Sequence, residues 1–186
     1  MTEQLNDLQA ELSPAQDLSI DTTEVVESTA SNEPNGFVQL GLADELVKAV
    51  ADLGYTQPTA VQSRTIPLAL PADDEEHHGY NDLMVSSQTG SGKTAAFLLP
   101  ALQRILKARQ DPERRRPRGQ ACGPRVLVLA PTRELAMQVA KAAEVYGSQI
   151  PGLKITTVVG GVPYGAQLAA LRKPLDLMIA TPGRLL

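Results

Sequence analysis

Cysteine is nearly absent: Cys122 is the only one in 186 residues. No internal disulfide can form, and the composition fits a reducing compartment. Cys122 stands beside Gly123 and Pro124 in a loop-like stretch and reads as a passive thiol rather than a nucleophile. Aromatic residues make up only 3% of the chain. No apolar run reaches the roughly 18–20 residues that a membrane span needs. The N-terminus is acidic where a secretory signal would be basic, so the expectation is a cytoplasmic protein with no membrane partner. There is no Lys or Arg before Lys48, whereas Asp and Glu recur throughout that stretch. The net charge of −4 therefore reflects segregation. The remaining body is neutral to mildly basic, which leaves nucleic acid open as a partner.

Residues 1–35 are rich in Glu, Asp, Ser, Thr, Gln and Asn. Such a segment buries too little apolar surface to offset its ordering entropy, and the expectation is a disordered acidic tail. Leu5, Leu8 and Leu12 fall at helical spacing, which offers a protein partner a short apolar face. Residues 36–186 read as one α/β domain.

The body turns on Ser87-Gln88-Thr89-Gly90-Ser91-Gly92-Lys93-Thr94. Leu83, Met84 and Val85 precede it as an expected strand, and Ala95 to Leu99 follow as an expected helix. A strand, a glycine-rich turn and a helix start form the setting of a phosphate-binding loop. Gly90 and Gly92 let the backbone turn its N–H groups inward, and the helix N-terminus adds a positive dipole end. Lys93 would reach the β/γ-phosphates, and the Thr94 hydroxyl would bind Mg²⁺. Ser87 stands where the usual pattern has Gly.

Upstream, Leu42, Leu46, Val47, Val50 and Leu53 recur as one helical face, with Gly54 at the cap. Pro58 is expected in the first turn of the next helix, and Pro67 and Pro71 are expected to break its apolar face. Residues 71–81 carry His77 and His78 among carboxylates and read as a solvated acidic loop, not a metal site. Residues 107–125 form a basic loop with Lys107, Arg109, Arg114, Arg115, Arg116, Arg118 and Arg125. This loop is either a solvated charge run or an electrostatic contact to a nucleic-acid backbone.

Val126 to Ala130 read as a buried strand from a continuous apolar run. Thr132 is the expected N-cap of a helix ending before Gly147. Strands follow at 154–159 and 175–180, separated by a helix over 163–171. Alternating strands and helices imply an α/β fold with a mainly parallel sheet. Each Thr-, Gly- or Arg-bearing loop then follows a strand's C-terminal end, the edge where open α/β sheets bind ligands.

Residues 37–186 resemble the N-terminal RecA-like domain of DEAD-box ATP-dependent RNA helicases, a class of P-loop NTPase. Gly54-Tyr55-x-x-Pro58-Thr59-x-x-Gln62 resembles the family's Q motif, and residues 87–94 its motif I. Pro131-Thr132-Arg133 to Ala136 resemble motif Ia, Gly160-Gly161 the double-glycine motif, and Thr181-Pro182-Gly183-Arg184 motif Ib. The resemblance implies that Gln62 reads the adenine edge while Tyr55 stacks on its face, with ATP and Mg²⁺ as cofactors. The last three motifs would line a sequence-independent RNA path.

Two departures carry expectations of their own. The connection at 71–81 is longer than the family's usual one. The sequence ends at Leu186, before the Asp-Glu-Ala-Asp string and the second RecA-like domain, so the expectation is a marginally folded, catalytically incomplete chain with a gap in its sheet. The alternatives are a non-catalytic nucleotide- or RNA-binding module, or another P-loop ATPase such as a DNA translocase. Which RNA would be the target is not legible from the residues.

Overall fold

Strand β3 (Leu177–Ala180) is the central strand of the sheet, with all four of its residues buried. It is flanked in parallel by β1 (Val126–Leu129) and β2 (Ile155–Val158), giving the order β1-β3-β2. The registers pair Val126 with Leu177 and Ile155 with Leu177. All three strands therefore start at one end and finish at the other. The computed structural model describes residues 35–70, 81–113, 116 and 123–186. The expected acidic tail, most of the 71–81 loop with its two histidines, and Cys122 lie outside the described residues.

One face of the sheet carries the main core. Leu177 and Ile179 meet α3 (Lys93–Gln110) and α4 (Arg133–Tyr146), with Leu98, Leu99, Leu102, Ile105 and Ala143 fully buried. Each such leucine or isoleucine contributes roughly 1.5–3 kcal/mol by leaving water. The other face carries a small cluster of Val158, Met178 and Ala180 against Leu171, the last residue of α5 (Tyr164–Leu171). A short α6 (Pro182–Leu185) follows β3.

The N-terminal helices attach through α3. Helix α1 (Asp44–Asp52) begins after Ala43, whose side chain cannot cap; Gln103 of α3 accepts from the Ala43 N–H at 2.9 Å instead. Asp44 and Glu45 favour the dipole of the first turn. Leu46 and Val50 are buried as the periodicity predicts, while Leu53 is exposed. Helix α2 (Ala60–Ala69) is capped by Thr59, not begun by Pro58, because Thr59 and Gln62 form a complete capping box. Pro67 lies inside α2 rather than breaking it. It removes one ladder donor near the C-terminus, while the Leu70 N–H still reaches Ile66 O at 3.1 Å.

Two strand expectations need correction. Residues 81–88 adopt no regular structure, and Met84 is fully exposed, so four expected strands become three. A strand exists only through its partners, and among the described residues none pairs with Leu83 to Val85. β1 is not buried on both faces: Leu127 and Leu129 are 45% and 55% exposed. It is an edge strand. Two cavities, of about 470 and 320 Å³, lie between the 81–85 stretch, α3 and β1. The gap in the sheet anticipated from the resemblance is thus visible among the described residues.

Candidate functional site

The loop at 87–94 is held by side chains rather than by a strand ladder. Ser87 and Ser91 hydroxyls bond each other at 2.6 Å, which gives the serine at the first position a role in closing the loop. Gln88, Thr89 and Gly90 are exposed at its tip, and Gly90 and Gly92 have φ of 80° and 89°. Lys93 is half-buried, and its ammonium donates to Ser87 O at 2.6 Å and Gln88 O at 2.5 Å. One N–H of the ammonium remains for a phosphate oxygen. Thr94, also half-buried, sits in the first turn of α3.

The Q-like stretch is wired directly to this loop. Thr59 Oγ1 donates to Ser91 O at 2.8 Å, and Gln62 Nε2 donates to Gly92 O at 3.2 Å. Gln62 Oε1 accepts from the Thr59 N–H at 2.9 Å. Gln62 is buried, and its amide has one further N–H and one further lone pair beyond these two bonds. Gly92 must be glycine here. A Cβ would lie 2.4 Å from Gln62 Nε2, at a φ that L-residues rarely adopt.

Tyr55 is placed differently. It is half-exposed at the end of α1, its N–H bonded to Val50 O, and no hydrogen bond joins it to the loop 87–94 among the described residues. Its neighbour is Tyr146, whose phenol is raised above its ordinary 10.0 by burial first and by Tyr55 second. Gln62 and the phosphate loop are thus brought together, and Tyr55 stands apart with α1 and α4. Thr59, which sequence reasoning treated only as part of a string, is the residue that joins helix cap to loop.

The other expected residues sit where the strands end. Pro131 and Thr132 follow β1, and Thr132 caps α4 by accepting from the Leu135 N–H at 3.2 Å. Arg133 crosses to the β2 loop and donates to Gly160 O at 3.3 Å. A Cβ on Gly161 would collide with that guanidinium at 2.5 Å, so the glycine makes room for it. Thr181 bonds Val158 O through its N–H at 3.0 Å, Pro182 opens α6, and Gly183 is exposed. Arg184 donates to Val162 O at 3.0 Å. Two arginines thereby tie all three strand-end loops together at the β2 turn. Gln167, unremarked in the sequence, braces the same turn from within by donating to Val159 O at 2.8 Å.

The described part of the basic stretch lies at the opposite end, while Arg114, Arg115 and Arg118 lie outside the described residues. Arg109 bonds both oxygens of buried Asp176 and the carbonyls of Pro151 and Gly152. Arg125 pairs with Asp176 at 3.6 Å, the Lys154 N–H donates to it at 3.0 Å, and Arg116 donates to Leu175 O. These groups precede the three strands, so Asp176 fastens the starts of all of them, far from Lys93. Among the described residues no group of three or more His, Cys, Asp or Glu is arranged to hold a metal ion. None of the described helices is long and apolar enough to cross a membrane.

Comparison with known proteins follows this geometry. The family model described as DEAD/DEAH box helicase matches residues 59–186. The ATP-dependent RNA helicase SrmB of Haemophilus influenzae is 49% identical over 150 residues, 81% of this chain and 30% of that protein. The ATP-dependent rRNA helicase rrp3 of Emericella nidulans is 43% identical over 161 residues, 85% of this chain and 30% of that protein. Among solved structures, Prp28 of Chaetomium thermophilum bound to ADP aligns with a TM-score of 0.63 and 37% identity, over 79% of this chain and 32% of that one. S. cerevisiae Dbp5 bound to RNA and ADP BeF3 aligns with a TM-score of 0.62 and 28% identity, over 81% of this chain and 33% of that one. The chain spans about a third of the length of these relatives.

Proposed function

The chain belongs to the DEAD/DEAH box helicase family and has its RecA-like α/β fold, and on that premise we propose that it carries the ATP-binding part of an RNA-dependent ATPase that unwinds short RNA duplexes. The observation that carries this reading is the Gln62 amide bonded to Gly92 O. It couples a group suited to adenine to the loop suited to phosphates. Adenine would meet the remaining N–H and lone pair of Gln62. The β- and γ-phosphates would meet the loop amides and the remaining proton of Lys93.

Mg²⁺ fits this site only in part: Thr94 supplies one hydroxyl, and the phosphates and water would complete the shell. The metal, when bound, would offset phosphate charge. RNA would lie along the loops after β1, β2 and β3, held by backbone amides, Thr132 and Arg133 without reading sequence. The two carboxylates beyond Glu134 are poorly placed for phosphoryl transfer. Asp176 is tied to Arg109 and Arg125 at the far end of the sheet, and Glu144 is exposed on α4. Transfer depends on a metal-holding acid and an outside arginine as well as the loop lysine. For these 186 residues by themselves we therefore propose binding without turnover, in the cytoplasm.

The test uses a full-length protein that contains this chain, with ATP hydrolysis followed alone, with single-stranded RNA and with DNA of the same length. Stimulation by RNA but not DNA is the expected result. Equal stimulation by DNA would move the reading to a translocase, and none by either would end it.

A further inference from the structure

Phosphate contacts account for the glycines, threonines and Arg133 of the strand-end edge, but not for Tyr164. This residue opens α5 immediately after the Gly160-to-Pro163 turn, and it is 66% exposed. Among the described residues it is the only aromatic on the loops that follow the three strands. The Arg184 guanidinium lies over its ring, 5.2 Å from the centroid. Arg184 is itself fixed, with one nitrogen bonded to Val162 O at 3.0 Å and its Nε buried without an acceptor among the described residues. That guanidinium is turned into the protein and toward the ring, so it serves Tyr164 more directly than it serves a phosphate. One ring face is covered by a cation that attracts its π-electrons. With 66% of the residue exposed, the ring stays open to solvent at the edge where the strand would pass.

We propose that Tyr164, positioned by Arg184, is a stacking subsite for one nucleobase of the bound strand. The inference rests on the RNA reading above and adds to it a contact to a base where the other contacts are to backbone. Every base has a π-face, so the contact tolerates any sequence, with purines favoured by their larger area. A ring held in place before binding loses little side-chain freedom when the base arrives.

Anisotropy titrations of the whole 186-residue chain with a labelled 12-nucleotide oligoadenylate, and with an abasic strand of the same sugar-phosphate backbone, test this. Tyr164→Ala is expected to weaken binding of oligoadenylate by about tenfold and that of the abasic strand by less than about twofold, while Tyr164→Phe restores the wild-type value. Arg133→Ala is expected to weaken both probes alike. Equal weakening of both probes by Tyr164→Ala, or no change in either, overturns the stacking subsite while leaving the RNA reading intact. Failure of the wild-type chain to bind either probe overturns the RNA reading, and the subsite with it.

Discussion

The ligand edge is built in two ways. The loops after β1, β2 and β3 project from a parallel ladder whose lower end is locked by Asp176 and its arginines. The phosphate loop has no ladder beneath it among the described residues. It keeps its shape through Ser87–Ser91, Thr59–Ser91 and Gln62–Gly92 bonds and through the first turn of α3. Among the described residues, the cap of α2 supplies bonds that hold this loop. Disturbing α2's first turn should therefore reach the nucleotide, whereas disturbing the lower end of the sheet should reach stability first.

The largest effect that separates the two halves is expected from Gly92→Ala. The added Cβ would collide with Gln62 Nε2 and force a left-handed φ on alanine, at a cost of about 1–2 kcal/mol. Nucleotide affinity should fall by well over tenfold in a titration with a fluorescent ATP analogue, with helix content by circular dichroism preserved. Next comes Asp176→Ala, which removes the acceptor shared by Arg109, Arg125 and the Lys154 N–H. Breaking a fully buried pair costs about 3–5 kcal/mol. Arg109 is partly exposed, so about 2–3 kcal/mol is expected in a urea melt, with nucleotide affinity per folded molecule unchanged. The smallest effects come from the two threonine caps. Thr59→Ala and Thr132→Ala should each cost about 1 kcal/mol of stability. Only Thr59→Ala should also weaken nucleotide binding, because only Thr59 bonds the loop. Equal nucleotide affinities in the two variants would erase the distinction between the halves.

Much of this was legible in the chain. The helical face of Leu46 and Val50, the Thr132 cap and the positions of the loops after β1, β2 and β3 follow from short-range pattern, and the structure has them. The failures involve partners distant in sequence. Leu83 to Val85 have the composition of a strand, but pairing is decided by what lies alongside. The apolar run of β1 suggested burial on both faces, although one of its faces is open. Arg109 and Arg125 of the 107–125 stretch could be counted but not assigned, because the carboxylate they share, Asp176, is 67 positions from Arg109. Pro58 gave way to Thr59 because a hydroxyl and a glutamine three residues apart satisfy two orphan N–H groups, which a proline cannot do. Tyr164 carried no motif signal, and only its exposure beside Arg184 brings it forward.

The central claim is that residues 87–94, organised by Thr59 and Gln62, form an adenine-nucleotide site centred on Lys93. Its most direct test is equilibrium titration of the 186-residue chain and of Lys93→Ala with the same fluorescent ATP analogue. The account predicts saturable binding to the wild type, displaced by ATP, and at least tenfold weaker binding to Lys93→Ala. Identical affinity for the two proteins, or no displaceable binding to the wild type, would contradict it.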